Sequence, residues 1–111
     1  MNNAAFTLSL KQMGFNIKPN TKKDLKIDVF GDWNRNNKKY AFVIVNSFSD
    51  KLLKEVEFSN AVNFCKNNHY KLIIISKKNI NKITQVDYKV INHKELKKLL
   101  NDYNRAYIET I

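Results

Sequence analysis

Few side chains in this sequence have a type and spacing that could support chemistry. Asp28 lies in the alternating stretch Leu25–Phe30, where an aspartate either coordinates a divalent cation or serves as a polar residue at the end of a strand. One carboxylate alone makes a poor magnesium site, because Mg²⁺ requires a full set of oxygen ligands. His69 and His93 stand alone in turn-like contexts, which is more typical of a loop residue and a helix-start residue than of ligands or bases. Cys65 lies on an apolar face, as expected for a small core residue.

A second set of side chains is suited to contact nucleic acid. The chain has 20 Lys+Arg against 10 Asp+Glu, a formal net charge of +10, and such a field attracts polyanions. Most of these cations are lysines, and an AT-rich genome enriches Lys, Asn and Ile whatever the function. The alternative to nucleic-acid binding is therefore that the charged surface only keeps the protein soluble. Trp33 either stacks on a base or folds back on the sheet. The residues that we expect to contact nucleic acid are Lys22, Lys23, Trp33, Arg35, Lys38 and Lys39.

Hydrophobic periodicity predicts a helix and three strands in the first half of the chain. The predicted ranges are 3–13 for the helix and 15–18, 25–30 and 39–47 for the strands. In the second strand, Leu25, Ile27 and Val29 share one face, whereas the third is apolar on both faces and so belongs inside a sheet. The Asn, Asp and Gly residues of 31–37 predict a turn, so these two strands should form an antiparallel hairpin.

The second half of the chain alternates helix and strand. Ser49 and Asp50 predict the start of a helix that ends near Asn68. Its apolar residues change face, so the helix is either buried on two sides or broken near 59–60. Because this helix separates two apolar strands, those strands can lie parallel through a right-handed crossover. The remaining predicted elements are a strand over 71–76, one or two helical turns within 77–87, a strand over 88–91 and a final helix that begins near Asn92.

Length and composition narrow the class of protein. The 111 residues, 43% of them hydrophobic, favour a single folded domain over 1–111. The single cysteine excludes a disulfide framework and a cysteine-rich zinc module, and it fits a reducing compartment. The apolar runs are far shorter than the ~20 residues of a spanning helix, and the first residues lack the features of a signal peptide. We therefore expect a cytoplasmic or otherwise intracellular protein without a membrane partner.

Four short strings carry a further signal. They are Leu10–Ile17, Lys26–Gly31, Leu72–Ser76 and Tyr88–Leu96. Together with the order of the predicted elements, they resemble the Mrr-like and Holliday-junction-resolvase-like branches of the PD-(D/E)xK nuclease superfamily. The resemblance implies an α/β fold of the restriction-endonuclease type, with an αβββαβ core, a mixed central sheet flanked by helices, and a C-terminal strand and helix. It also implies DNA as the partner, Mg²⁺ as the cofactor of an active member, and Asp28 as the metal-binding aspartate.

The resemblance fails at the catalytic motif. Members of the superfamily carry an acid, any residue and a lysine on the third strand, which hold Mg²⁺ and orient the attacking water. Here Ile44 stands at the position of the acid and Asn46 at that of the lysine. Isoleucine cannot coordinate a hard cation, and asparagine carries no positive charge. The resemblance therefore implies a nuclease-like fold that has lost its chemistry and needs no cofactor.

Three functions are open at this point. The main prediction is a catalytically inactive nucleic-acid-binding domain, a subunit or accessory factor in DNA processing that acts as a homodimer or in a larger complex. The second is an active Mg²⁺-dependent endonuclease, since some branches move catalytic residues to the crossover helix. The candidates for such migrated residues, which would act with Asp28, are Glu55, Glu57 and Lys66. The third is a protein-interaction module whose partner covers an apolar patch at Leu52, Leu53 and Val56.

Overall fold

A mixed β-sheet with helices on both faces organises the chain. The computed structural model describes residues 4–12, 14–33 and 38–94, and within these ranges the strands form one six-stranded sheet in the order β1-β2-β3-β4-β6-β5. The helices are α1 (Ala4–Gln12), α2 (Asp50–Leu53) and α3 (Val56–Asn68). The strands are β1 (Phe15–Pro19), β2 (Val29–Trp33), β3 (Lys38–Val45), β4 (Tyr70–Ser76), β5 (Ile83–Thr84) and β6 (Lys89–Asn92). The predicted α/β class is confirmed.

The parallel strands give the sheet one edge at which they start and an opposite edge at which they end. Strands β1, β2 and β3 pair antiparallel, as the predicted hairpin requires. Strand β3 then pairs parallel with β4, and β4 pairs parallel with β6, so the predicted parallel arrangement of β3 and β4 is confirmed. Because β3, β4 and β6 run in one direction, Lys38, Tyr70 and Lys89 begin them at one edge, which we call the amino edge. Val45, Ser76 and Asn92 end them at the opposite, carboxyl edge.

Two apolar clusters form the core, one on each face of the sheet. The first packs Leu10 of α1 against the sheet, where the rings of Phe15 and Trp33 stack with their centroids 5.6 Å apart. The second packs α2 and α3 on the other face and includes Phe58 and Cys65. Burial of Cys65, with 2% of its surface exposed, confirms the prediction that it is a core residue. Alternation along the central strands supplies both clusters, as expected for strands that are apolar on both faces.

The second predicted strand begins later than its sequence pattern indicated. Leu25 and Ile27 belong to the α3-side cluster, whereas Val29 belongs to the α1-side cluster, so the three do not share a face. The reason is a hydrogen-bonded loop: the Asn20 side-chain amide lies 2.9 Å and 2.8 Å from the carbonyl oxygens of Lys22 and Ile27. These contacts satisfy the loop backbone without a neighbouring strand.

The predicted turn over 31–37 also begins too early. Strand β2 continues through Gly31 to Trp33, and residues 34–37 lie outside the described part of the chain. A Cβ atom on Gly31 would lie 3.0 Å from Cε2 of Phe42 and 3.1 Å from Cδ1 of Phe15. Glycine therefore serves here to admit two aromatic rings to the strand and does not form the turn.

The crossover helix is broken, but earlier than 59–60. Helix α2 ends at Leu53 and α3 begins at Val56, with Glu55 in an extended conformation at its N-cap. The break redirects the chain so that Leu52 and Phe58 reach the same core cluster. Helix α3 is capped at its C-terminus by His69, which has a left-handed conformation with φ of 62° and donates its backbone N–H to the Cys65 carbonyl.

In the last part of the described chain, strands β5 and β6 follow β4, and β6 ends at Asn92. Helical turns were predicted within 77–87, but Ile83 and Thr84 form strand β5 and pair antiparallel with Val90 and Lys89. The predicted strand near 88–91 is confirmed as β6. The final predicted helix falls largely beyond residue 94, outside the described residues. Within the described residues, no helix is both long and apolar enough to cross a membrane.

Candidate nucleic-acid interface

Asp28 lies at the carboxyl edge of the sheet, where its polar groups bond to the backbone of neighbouring segments. Its Oδ2 accepts a hydrogen bond from the Ile44 N–H at 2.6 Å. Its own backbone N–H donates to the Phe42 carbonyl at 2.9 Å, and its carbonyl accepts from the Asn20 N–H at 3.2 Å. The carboxylate therefore joins β3 to the loop before β2. This arrangement agrees with the interpretation of Asp28 as a polar residue at the end of a strand.

The other positions of the predicted catalytic motif do not complete a metal site around Asp28. The Ile44 side chain packs against the α1-side core cluster, so an apolar group occupies the position where the superfamily has its acid. Asn46 is exposed beyond the end of β3. The Asp28 carboxylate contacts the backbone N–H of Ile44. The two residues do not place their side chains together on one face. These residues do not fit Mg²⁺, which needs several oxygen ligands around one point.

The migrated candidates are spread over α3 and its N-cap. Glu55 and Glu57 are exposed at the start of the helix, whereas Lys66 lies near its end. Glu57 and Lys66 are therefore about 13 Å apart along the helix axis. Lys66 forms an ion pair with Asp87 at 3.0 Å. In the described ranges, no three His, Cys, Asp or Glu side chains are grouped so that they could share a metal ion.

Lysines from three parallel strands converge at the amino edge. Strand alternation places Lys38 on the same face as Tyr40 and Lys71 on the same face as Ile73. Lys89 lies directly across from Ile73 in the register of β4 and β6. All three lysines therefore project to the α1 side of the sheet. We call Lys38, Lys71 and Lys89 the lysine cluster.

The electrostatics of Lys71 report this convergence. Its pKa lies below the usual value, first because of partial burial and then because of the positive charges of Lys38 and Lys89. Like charges that lower a lysine pKa indicate a local positive potential. A groove of about 370 Å³ adjoins the cluster, with Lys38, Lys39, Asn68, His69 and Lys71 as its lining.

Aromatic rings extend the basic surface onto the α3 side of the same edge. The Lys39 ammonium lies 5.7 Å from the centre of the Tyr70 ring. The Lys22 ammonium lies 5.1 Å from the centre of the Phe64 ring. The two rings stack with centroids 5.8 Å apart, so Lys22 and Lys39 come to one aromatic platform although they are distant in sequence. Cation–π contacts of this kind hold a lysine in place without neutralising its charge.

Similarity to other proteins does not identify the function of this surface. Comparisons with family models, with curated proteins and with solved structures found no match. Function is therefore inferred from the placement of the side chains.

The predicted nucleic-acid-binding residues have different outcomes. Trp33 is only 2% exposed and packs on Phe15, so its indole is not available for stacking on a base. The ring folds back on the sheet, which was the alternative prediction. Arg35 lies outside the described residues. Lys22, Lys38 and Lys39 come to the amino edge as described above. Lys23 is exposed in the loop before β2.

Lys71 and Lys89 are the residues that the sequence analysis missed. Each stands at or near the start of a short apolar strand, where a single lysine carries little information by itself. The available signal was the parallel arrangement of the strands: if 39–47, 71–76 and 88–91 run in one direction, the lysines at their starts must meet at one edge. His69 is the C-cap of α3, and His93 is half-buried just after β6.

Proposed function

We propose that this chain is a catalytically inactive domain that binds nucleic acid through the amino edge of its sheet. The observation that carries the proposal is the lysine cluster, in which the register and alternation of three neighbouring strands bring Lys38, Lys71 and Lys89 to the same face of the sheet. Such like-charge crowding is unfavourable in the free protein, and contact with phosphates relieves it. The aromatic platform beside the cluster offers further contact surface for bases or sugars.

The distance between the lysine cluster and Asp28 argues against cleavage at the bound phosphate. Asp28 bonds to Ile44 near the end of β3, whereas Lys38 begins that strand. At about 3.3 Å per residue, Lys38 lies roughly 20 Å from the level of Ile44 along the strand, and Lys71, opposite Tyr40, lies roughly 13 Å from it. A phosphate held by Lys38 and Lys71 is therefore out of reach of the Asp28 carboxylate. This separation supports the proposal of binding without hydrolysis.

The order of the elements supports kinship with the PD-(D/E)xK superfamily as part of the proposal. Helix α1, strands β1 to β3, the broken helix α2–α3 and the parallel strand β4 follow one another in the αβββαβ order that the resemblance implies. In this interpretation the fold has kept its role in nucleic-acid contact, and the site at the carboxyl edge has become a structural hydrogen bond. An intracellular role in DNA processing, as a homodimer or in a larger complex, belongs to the same proposal.

Fluorescence anisotropy with labelled single-stranded and duplex DNA and with RNA of one sequence tests the binding. We expect affinity to fall steeply with salt, because each phosphate contact contributes about 0.9 to the slope of log K against log salt for duplex DNA. The variant K38Q/K71Q should lower both the affinity and this slope. The matched control K51Q/K54Q removes two exposed charges from the region of α2, far from the amino edge, and should change both much less.

Three results would contradict the proposal. An equal loss of affinity in K38Q/K71Q and K51Q/K54Q would mean that the overall positive charge, rather than a defined site, attracts the polyanion. Salt-insensitive association or none would favour the interaction module, for which the exposed side chains of Leu53 and Val56 are the available patch, since Leu52 is buried. Cleavage that requires Mg²⁺ and disappears in D28A would establish an active nuclease.

A further inference from the structure

The amino edge of the sheet contains a notch beside β4. Strand β3 pairs with the whole of β4 from Tyr70 to Ser76. On its other side, β4 is paired only from Ile73 onward, because β6 begins opposite that residue. Residues 70–72 therefore have a strand neighbour on one side only. The segment 85–88, which leads into β6, lines the notch.

The notch holds a cavity of the size that small ligands occupy. Its volume is about 320 Å³, within the range of typical small-molecule sites. Tyr70, Leu72 and Tyr88 are among the residues that give it apolar and aromatic walls. Gln85 adds a neutral polar group at the wall formed by 85–88. A strand without a neighbour on one side also offers backbone donors and acceptors that a flat heterocycle can use.

Positive charge stands at one side of this cavity. Lys71 and Lys89 of the lysine cluster both line it. Asp87 lines it as well, but its carboxylate is paired with Lys66 at 3.0 Å, so it does not present an uncompensated negative charge. The site therefore combines aromatic walls, hydrogen-bonding groups and two cations. A flat heterocycle that carries an anionic group matches all three features.

We propose that the notch binds one nucleoside monophosphate unit, with the base against the aromatic walls and the phosphate on Lys71 and Lys89. The unit is either a free nucleotide or the 5′-terminal nucleotide of a longer chain, since both present the same chemistry. In the second case the inference rests on the proposed function, because the remainder of the chain continues along the lysine cluster.

Titration of the full-length chain with 5′-AMP tests the inference. Calorimetry should give saturable binding in the millimolar range or tighter, with adenosine and inorganic phosphate each binding more weakly. In a ¹H–¹⁵N spectrum, the amide signals of Leu72 and Tyr88 should shift on titration. K71Q and K89Q should each weaken binding roughly tenfold, as expected for loss of one charged hydrogen bond, while K51Q should have no effect.

The outcomes separate this inference from the proposed function. Absence of AMP binding, or spectral shifts confined to residues away from the notch, overturns the inference, whether or not long oligonucleotides bind. If those oligonucleotides also fail to bind, the proposed function is wrong as well. If AMP binds and a 5′-phosphate raises the affinity of an oligonucleotide over its 5′-hydroxyl form, the ligand is a chain end. If AMP binds and the 5′-phosphate makes no difference, the ligand is the free nucleotide. Both of these results support the notch as a nucleotide site.

Discussion

Replacement of Asp28 distinguishes a structural carboxylate from a catalytic one. Its Oδ2 accepts the Ile44 N–H at 2.6 Å in a half-buried position. A hydrogen bond to a charged group contributes about 1.5–3 kcal/mol, and its removal leaves the donor without that partner. We therefore expect D28A to lower the free energy of unfolding by about 2 kcal/mol. For a chain of this size that corresponds to a fall in Tm of roughly 8 °C.

The variant D28N adds a second measurement at the same position. Asparagine keeps an oxygen that can accept the Ile44 N–H but loses the negative charge. The stability of D28N should therefore lie between those of the wild type and D28A, with a loss of about 1 kcal/mol. The matched control is D24A, because Asp24 is an exposed aspartate of the same loop. The free energy of unfolding of D24A should differ from that of the wild type by no more than about 0.5 kcal/mol.

Urea unfolding followed by circular dichroism measures all three variants, and the oligonucleotide assay measures their binding. We expect binding to survive in D28N, since Asp28 bonds near the end of β3 whereas Lys38 begins that strand. Equal stability of D28A and the wild type would refute the assignment of Asp28 as a structural acceptor. Loss of a Mg²⁺-dependent cleavage activity in D28N at unchanged stability would show that the carboxylate is catalytic.

Three further predictions concern the core and the helix end. G31A should lower the free energy of unfolding by about 1–3 kcal/mol in urea titrations, because the added methyl would overpack Phe42 and Phe15; unchanged stability would show that the rings move aside freely. H69G should raise it by about 1 kcal/mol, since glycine adopts the φ of 62° without strain, while H69A should give no gain. Burial raises the pKa of Cys65 to about 11, so the native thiol should react slowly with disulfide reagents near neutral pH. The pKa of Cys65 is higher in the folded than in the unfolded chain, so its contribution to stability should be complete below about pH 8.5. That contribution should be lost as the pH rises toward 11. The variant C65A should not show this loss of stability.

Much of the fold could be predicted from hydrophobic patterns, because the central strands are buried on both faces. The run Tyr40–Val45 and the run Leu72–Ile75 have few polar residues, and both lie inside the sheet as expected. The loop before β2 could not be predicted, because Leu25 and Ile27 alternate like a strand. Only the tertiary position of the Asn20 amide shows that this segment is held as a loop. Local pattern specifies burial here but not the hydrogen-bonding partner.

The candidate site was less predictable than the fold, for a physical reason. Asp28 was singled out because its residue type suggests chemistry, yet its carboxylate is engaged by a backbone group that a sequence does not display. Trp33 was singled out because it lies in the predicted turn near Arg35, Lys38 and Lys39. A stacked partner 18 residues earlier in the chain, Phe15, holds it in the core. Lys71 and Lys89 acquire their importance only from the parallel register of β4 and β6.

The two outermost strands of the sheet have a consequence for self-association. Strand β1 is five residues long, ends at Pro19 and carries the exposed side chain of Lys18. Strand β5, at the other end, is only two residues long. Short strands with proline and lysine are poor templates for the addition of another strand. Among the described residues, neither end of the sheet therefore invites a neighbouring molecule to continue it, and concentrated solutions should resist fibre growth by β-pairing.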